Sequence, residues 1–271
     1  MGIFRFKKFE VINERSAMKV NTDGVLLGAA MTILPQDRCF LDIGTGTGTI
    51  ALMAAQRVWD ISSQAGNGEG ADWNDEREAG NDASGTRNHI RIDAIDVDEP
   101  SATEAAANFR NSPWVESLKA YNMPLDDFAA DLDRNEEVVT YDLIFSNPPY
   151  FEDSLTAPDE RKSTARHTSE GLSYRDIFEF ASKRLSEQGR VALVLPADQE
   201  AAVCRYARMC SLHLHSILRV RTIPRKAPSR MIVQFGRQRI SEPSDSILTI
   251  QNEGQYTQEY LSLTSDFYLF A

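Results

Sequence analysis

With 271 residues, 42% of them hydrophobic and 25% charged, the chain is long enough to bury a sizeable core in one α/β domain. No stretch approaches the roughly 18 uninterrupted apolar residues of a membrane span, and the opening segment Met1 to Lys8 is basic and aromatic with no apolar run behind it. A net charge of -11 argues against a general nucleic-acid binder, because phosphate neutralisation needs clustered Lys and Arg.

Charge is unevenly distributed. Met1 to Val20 holds five basic and two acidic residues, and Arg219 to Arg239 holds seven basic residues and none that is acidic, so a local basic face is expected. The cysteines Cys39, Cys204 and Cys210 are scattered and odd in number, and the four histidines share no ligand spacing with them. Neither a disulfide framework nor a metal site is expected.

In chain order, Arg38 to Ile43 reads as a buried strand, Thr49 to Trp59 as a helix and Ile90 to Asp96 as a second strand. Between these last two, residues Ser62 to Asn88 are rich in Gly, Asn, Asp, Glu and Ser and lack periodicity, which predicts a disordered insertion. Helix Glu99 to Asn111, a short strand near Leu118, strand Tyr141 to Ser146 and helix Ser173 to Glu187 follow. Strand Arg190 to Leu195, helix Asp198 to Met209 and strands around Ile217 and over Met231 to Phe235 complete the series. This alternation predicts a doubly wound, mostly parallel α/β sheet, with ligands at the carboxyl ends of its strands. Residues 1–271 are expected to form one domain with a basic N-terminal extension over about 1–30 and the insertion at 62–88.

Asp42-Ile43-Gly44-Thr45-Gly46-Thr47-Gly48 leaves the first of these strands and enters a helix. Glycine at every second position lets the backbone turn sharply and approach a flat ligand. A dinucleotide fingerprint needs G-x-G-x-x-G; here the third glycine falls one position early and Thr49 stands in its place, which matches the methyltransferase pattern instead. A ribose-binding carboxylate is expected at the end of the next strand, and Asp96 occupies that position. Asp42 is expected to organise the loop and help hold a methionine ammonium, with Gly44 and Gly46 giving the ligand room.

Strand Tyr141 to Ser146 feeds Asn147-Pro148-Pro149-Tyr150. Two prolines stiffen this loop and push Asn147 toward extended geometry. An exocyclic planar amine is a poor nucleophile because its lone pair is delocalised. The Asn147 side-chain oxygen and the Pro148 carbonyl are suited to accept its two hydrogens and aim the nitrogen at a methyl donor, while Tyr150 would stack on the base.

Together these features resemble the bacterial tRNA1(Val) (adenine(37)-N6)-methyltransferase family of class I enzymes. The resemblance spans nearly the whole chain. It rests on Phe4 to Lys7, Met18 to Gly28, the glycine loop, Asn147 to Tyr150 and the terminal Asp266 to Leu269. It implies a Rossmann-like, seven-stranded class I methyltransferase sheet, S-adenosyl-L-methionine as cofactor, and N6-methylation of adenine 37 in tRNA(Val); with no apolar span or leader-like run in view, a cytoplasmic protein is expected, and a monomer. It carries cofactor contact to Lys19, Thr22 and Asn147, catalytic contact to Asn147 and stacking to Tyr150. Where the family usually has an acid after the third strand, this chain has Asn122, whose amide oxygen can still accept from the cofactor adenine amine.

Arg5, Lys7, Lys8, Arg161, Lys162, Arg166, Arg225, Lys226 and Arg230 are the expected phosphate contacts, with the last three in a loop between two late strands. Two alternatives stand beside this reading. One is an N5-glutamine methyltransferase acting on peptide release factors, which shares the Asn-Pro-Pro-Tyr loop; such enzymes carry a helical N-terminal domain, for which a glycine loop beginning by residue 42 leaves no space. The other is a non-catalytic nucleotide- or RNA-binding module, against which Asn147 and Asp96 speak.

Overall fold

A computed structural model describes residues 2–65, 89–134, 138–149 and 171–270. The chain opens with an antiparallel hairpin, β1 (Ile3–Arg5) and β2 (Glu10–Ile12), then α1 (Thr22–Ala30). The alternating series follows: β3 (Cys39–Ile43), α2 (Thr49–Ala65), β4 (Arg91–Asp96), α3 (Glu99–Arg110), β5 (Leu118–Asn122), α4 (Leu125–Arg134) and β6 (Tyr141–Ser146). Next come α5 (Tyr174–Arg184), β7 (Leu185–Pro196), α6 (Glu200–Met209), β8 (His213–Arg221), β9 (Arg230–Gly236) and β10 (Ser244–Thr249). A small hairpin, β11 (Gln251–Asn252) and β12 (Gln255–Tyr256), leads into α7 (Gln258–Thr264).

The main sheet has the order β10-β8-β9-β7-β6-β3-β4-β5, and only β9 runs against the rest. It contains eight strands, not the seven expected, because β10 adds to the free edge of β8 in parallel. From β3 the chain winds outward through β4 to β5, then returns to β6 on the opposite side of β3. The switch point therefore lies between β3 and β6, and the loops leaving those two strands flank the crevice where α/β sheets bind ligands.

Alternation along the central strands divides the interior into two layers. Phe40, Phe145, Ala192 and Val194 pack with α1, α2, α3, the N-terminal hairpin and the C-terminal Phe267 and Tyr268. Leu41, Ile43, Ile144, Val191, Leu193 and Leu195 face α4, α5 and α6. Side chains as deeply buried as Phe40, Phe145 and Leu41 each stabilise the fold by about 1.5–3 kcal/mol.

Helix ends follow local chemistry. Asn21 caps α1 through Gly24 N–H, Asp98 caps α3 through Ser101 N–H, and Ser173 and Asp176 form a reciprocal capping box on α5. α2 runs on through Ala65, so Ser62 to Ala65 are helical where the insertion was expected; residues 66–88 lie outside the described residues. Among the described residues, no helix is long and apolar enough to cross a membrane.

Candidate active site

Between β3 and α2 the backbone takes positive φ at Gly44, Gly46 and Gly48 (71°, 57° and 80°), a region that strains any residue with a Cβ. At Gly48 space enforces the same choice, since an added Cβ would lie 2.5 Å from the Phe109 ring of α3. Gly44 and Thr45 donate their N–H groups to the Ile95 carbonyl at 2.9 and 3.0 Å, which holds the loop to the end of β4. Above Gly44 the nearest atom to an added Cβ is Leu172 Cδ2 at 3.4 Å, so the glycine surface is a shallow cradle.

Two acids support the loop from below and beside it. Asp96 accepts the Gly46 N–H on Oδ2 at 2.8 Å and the Asp98 N–H on Oδ1 at 2.9 Å. Each oxygen keeps a second acceptor direction for a ligand hydroxyl, and burial raises the Asp96 pKa above the ordinary carboxylate value. Asp42 is fully buried and accepts from the Thr45 hydroxyl on Oδ2 at 2.7 Å, while its Oδ1 has no hydrogen-bond partner among the described residues. Burial pushes its pKa up to about 7. An orphaned buried acceptor is costly by itself and fits a ligand that brings a cationic donor.

Met18, Lys19, Val20, Asn21 and Gly24 form one wall of a cleft completed by Gly44 to Thr47, Thr49, Ile50 and Asn147. This N-terminal wall is fastened by α3. Glu104 accepts the N–H groups of Glu14, Arg15 and Ser16 at 2.7, 2.9 and 3.0 Å. Asn108 bridges both the N–H and the carbonyl of Ile12 to the Thr47 carbonyl, and Ser101 donates to the Ser16 hydroxyl. Burial opposes ionisation of Glu104, but the three backbone donors outweigh it and hold its pKa below the ordinary value.

Glu104→Gln, which loses acceptor capacity at this clamp, is therefore expected to raise the KM for cofactor about three- to tenfold and to lower Tm by about 2–8 °C. Because the folded pKa of Glu104 is depressed, its contribution is complete above the unfolded carboxylate pKa and disappears as pH falls through the folded value. The Tm gap between wild type and variant, followed by calorimetry across pH, should narrow in acid.

Asn147 emerges from β6 beside this cradle. The Ser146 hydroxyl donates to the Ile43 carbonyl at 2.6 Å and joins the two strand ends. Asn147 is buried, with Nδ2 3.5 Å from Asn21 Oδ1 and 3.7 Å from Met18 Sδ. Pro148 is buried behind it and Pro149 is exposed; Tyr150 lies outside the described residues, as do Arg161, Lys162 and Arg166.

Lys19 lines the cleft while its ammonium donates to the Glu14 carbonyl; Thr22 is exposed on the first turn of α1 and does not line it. Asn122 donates Nδ2 to the Asp96 and Val97 carbonyls at 3.0 and 3.1 Å. Its nitrogen is thus turned to the protein, which presents the amide oxygen as the outward group. Val97, 70% exposed beside it, is an apolar surface that sequence reasoning passed over. Its place directly after the strand-end acid is the signal that marks it.

The predicted basic residues divide. Arg5 pairs with Glu10 at 2.9 Å, Lys8 with Asp60 at 2.6 Å and Arg230 with Asp23 at 2.9 Å, while Lys7 donates to the Ser265 carbonyl. Lys8 is tied to Asp60, three turns along α2 from the glycine loop, or about 16 Å by helical rise. Arg225 and Lys226 are exposed in the loop between β8 and β9, at the strand ends that carry the cleft. Neither makes an ion pair among the described residues.

This architecture has known counterparts. Residues 29–211 match a family profile described as an RMKL-like methyltransferase domain, UPF0020. A crystal structure described as a predicted O-methyltransferase from Agrobacterium tumefaciens superimposes with a TM-score of 0.56 at 14% identity, covering 90% of this chain and 96% of that one, a likeness of fold alone. A tRNA1(Val) (adenine(37)-N6)-methyltransferase of Parabacteroides distasonis is 37% identical over 98% of this chain and 97% of its own length. One of the same name from Flavobacterium johnsoniae is 34% identical over 98% and 99%. The chain belongs to the tRNA1(Val) (adenine(37)-N6)-methyltransferase family of class I, S-adenosylmethionine-dependent enzymes.

Proposed function

We propose that the protein methylates N6 of adenine 37 in tRNA1(Val), with the cleft between the glycine loop and Asn147 as the active site. The observation that carries this reading is the meeting, in one cleft, of the Gly44 to Thr47 loop and the buried strand-end amide Asn147; Asp42 does not line that cleft but is buried and joined to its wall through the Thr45 hydroxyl. S-adenosylmethionine, when bound, supplies an electrophilic sulfonium methyl. Asp96 would hold the ribose hydroxyls, Asp42 the methionine ammonium, and Asn122 Oδ1 the adenine amine, with Val97 against the adenine face.

On the substrate side, Asn147 Oδ1 and the Pro148 carbonyl accept the two hydrogens of the target amine. That pairing localises electron density on nitrogen and fixes its direction of attack, so no strongly basic side chain is required. The new C–N bond would form as the donor's S–CH3 bond breaks to leave a neutral thioether, and the extra proton would pass from the nitrogen to water. Tyr150 stacks on the target base, which must leave its stack to reach this depth.

For tRNA capture Arg225 and Lys226 are the leading candidates, because Arg5, Lys8 and Arg230 hold acidic partners within the fold. Reversing both charges, Arg225→Glu with Lys226→Glu, is expected to weaken tRNA binding about tenfold at moderate salt and to reduce the slope of log affinity against log salt by about 2. Filter binding over a salt series checks this; an unchanged slope assigns the patch to ordinary surface.

Transfer of a labelled methyl group, compared between tRNA lacking the modification and a peptide release factor, separates the adenine reading from glutamine methylation. Incorporation into tRNA is the expected result, and incorporation into release factor alone would contradict it.

A further inference from the structure

Asn21 holds the catalytic loop to α1. Its side-chain amide is oriented by two contacts that have nothing to do with Asn147: Nδ2 donates to the Lys19 carbonyl at 3.1 Å, and Oδ1 accepts the Gly24 N–H at 2.8 Å as the cap of α1. The atom it presents to Asn147 is therefore an oxygen. That oxygen has a second lone pair, and Asn147 Nδ2 lies on it at 3.5 Å.

A reversed Asn147 amide would set two carbonyl oxygens against one another, so Asn21 selects one of the two orientations that an amide can adopt. We propose that Asn21 is a positioning residue for the reaction, fixing the polarity of the Asn147 carboxamide so that its oxygen, rather than its nitrogen, is the group offered to the substrate amine. This rests on the reading of Asn147 as the amine acceptor. The cap supplies the rigidity: α1 is buried along Gly24 to Ala29, and its first turn is further tied by the Asp23 to Arg230 ion pair, so the Asn21 oxygen is fixed to the core of the protein.

Two substitutions separate this role from helix capping. Asn21→Ser keeps a good cap but has a side chain too short to reach Asn147. Asn21→Asp keeps the capping oxygen and an acceptor toward Asn147, and it shares with Asn21→Ser the loss of the Nδ2 bond to the Lys19 carbonyl, so the difference between the two variants reports the acceptor. Asn21→Ser is expected to lower kcat about tenfold, with the KM for S-adenosylmethionine changed less than threefold, and Asn21→Asp to restore kcat to within about threefold of wild type.

A second readout needs neither cofactor nor turnover. In 1H–15N spectra of the free protein, the Asn147 side-chain NH2 pair, assigned by its loss in Asn147→Ala, is expected to shift in Asn21→Ser and to stay near its wild-type position in Asn21→Asp. A kcat for Asn21→Ser within twofold of wild type, or an equal fall in both variants, would overturn the proposal. So would a rise in cofactor KM with kcat unchanged, which makes Asn21 a cofactor contact. If wild type fails to methylate tRNA, the substrate reading fails, and the NH2 shifts still decide the Asn21–Asn147 link.

Discussion

Asn147→Ala is expected to lower kcat about 10²–10³-fold while S-adenosylmethionine still binds within a few-fold of wild-type affinity. The magnitude follows from removing one oriented polar group aimed at the reacting atom in a site screened from water. Asn147 is 7% exposed with Nδ2 3.5 Å from Asn21 Oδ1, so on the proposed reading its amide is already oriented when the amine arrives. On the proposed reading cofactor binding depends mainly on other groups: the glycine cradle, Asp96 and Asp42, which belong to β3, β4 and the loop between β3 and α2. Single-turnover kinetics on tRNA beside calorimetry with S-adenosylmethionine makes the test. Loss of cofactor binding parallel to loss of turnover would move Asn147 from the chemistry to the binding of the cofactor.

The second large effect lies in the pH dependence of cofactor binding. Burial disfavours the charged form of Asp42 and pushes its pKa up to about 7. A carboxyl whose folded pKa exceeds its unfolded value binds its proton more tightly when folded. Without cofactor the protein is therefore expected to lose stability as pH rises from about 4 toward 7. A cationic ammonium near Asp42 requires the ionised form, so binding releases that proton and affinity rises through the same window. With a pKa of about 7, the apparent Kd at pH 6 is expected to be about tenfold weaker than at pH 8.

Asp42→Asn should remove this dependence and weaken binding about 10–10²-fold, in keeping with loss of a hydrogen bond to a charged group. Calorimetry in buffers of different ionisation enthalpy reports the proton release directly. A flat pH profile in wild type would show that Asp42 does not face a cation.

Much of this site was legible in sequence because its parts are local. Asp42, Gly44, Gly46, Asp96 and Asn147 all stand at the ends of β3, β4 and β6, the short apolar runs that buried strands require, and β6 begins and ends where its sequence pattern does. α1 was not foreseen as a helix. Its sequence TDGVLLGAA has no polar face to create a 3.6-residue pattern, since Gly24 to Ala29 are buried throughout. β10 escaped for the opposite reason: it is an edge strand exposed over its first four residues and reads as a polar connection.

Glu104 left no trace either. Its partners lie 88 to 90 residues earlier in the chain, and only the packing of α3 against the N-terminal segment brings them together. For the basic residues, sequence records charge but not pairing. Nothing local to Arg5, Lys8 or Arg230 announces Lys8's link to Asp60 or Arg230's link to Asp23, whereas Arg225 and Lys226 stand in a loop with no acid within it.

On the proposed reading, one cleft delivers a methyl group to one adenine of tRNA. Mass spectrometry of nuclease-digested tRNA, after reaction of unmodified tRNA with the protein and S-adenosylmethionine, tests it most directly. The expected product is a single N6-methyladenosine at the adenine next to the anticodon, formed by wild type and lost with Asn147→Ala. Methylation elsewhere in the tRNA, or at that adenine with undiminished rate in Asn147→Ala, would contradict it.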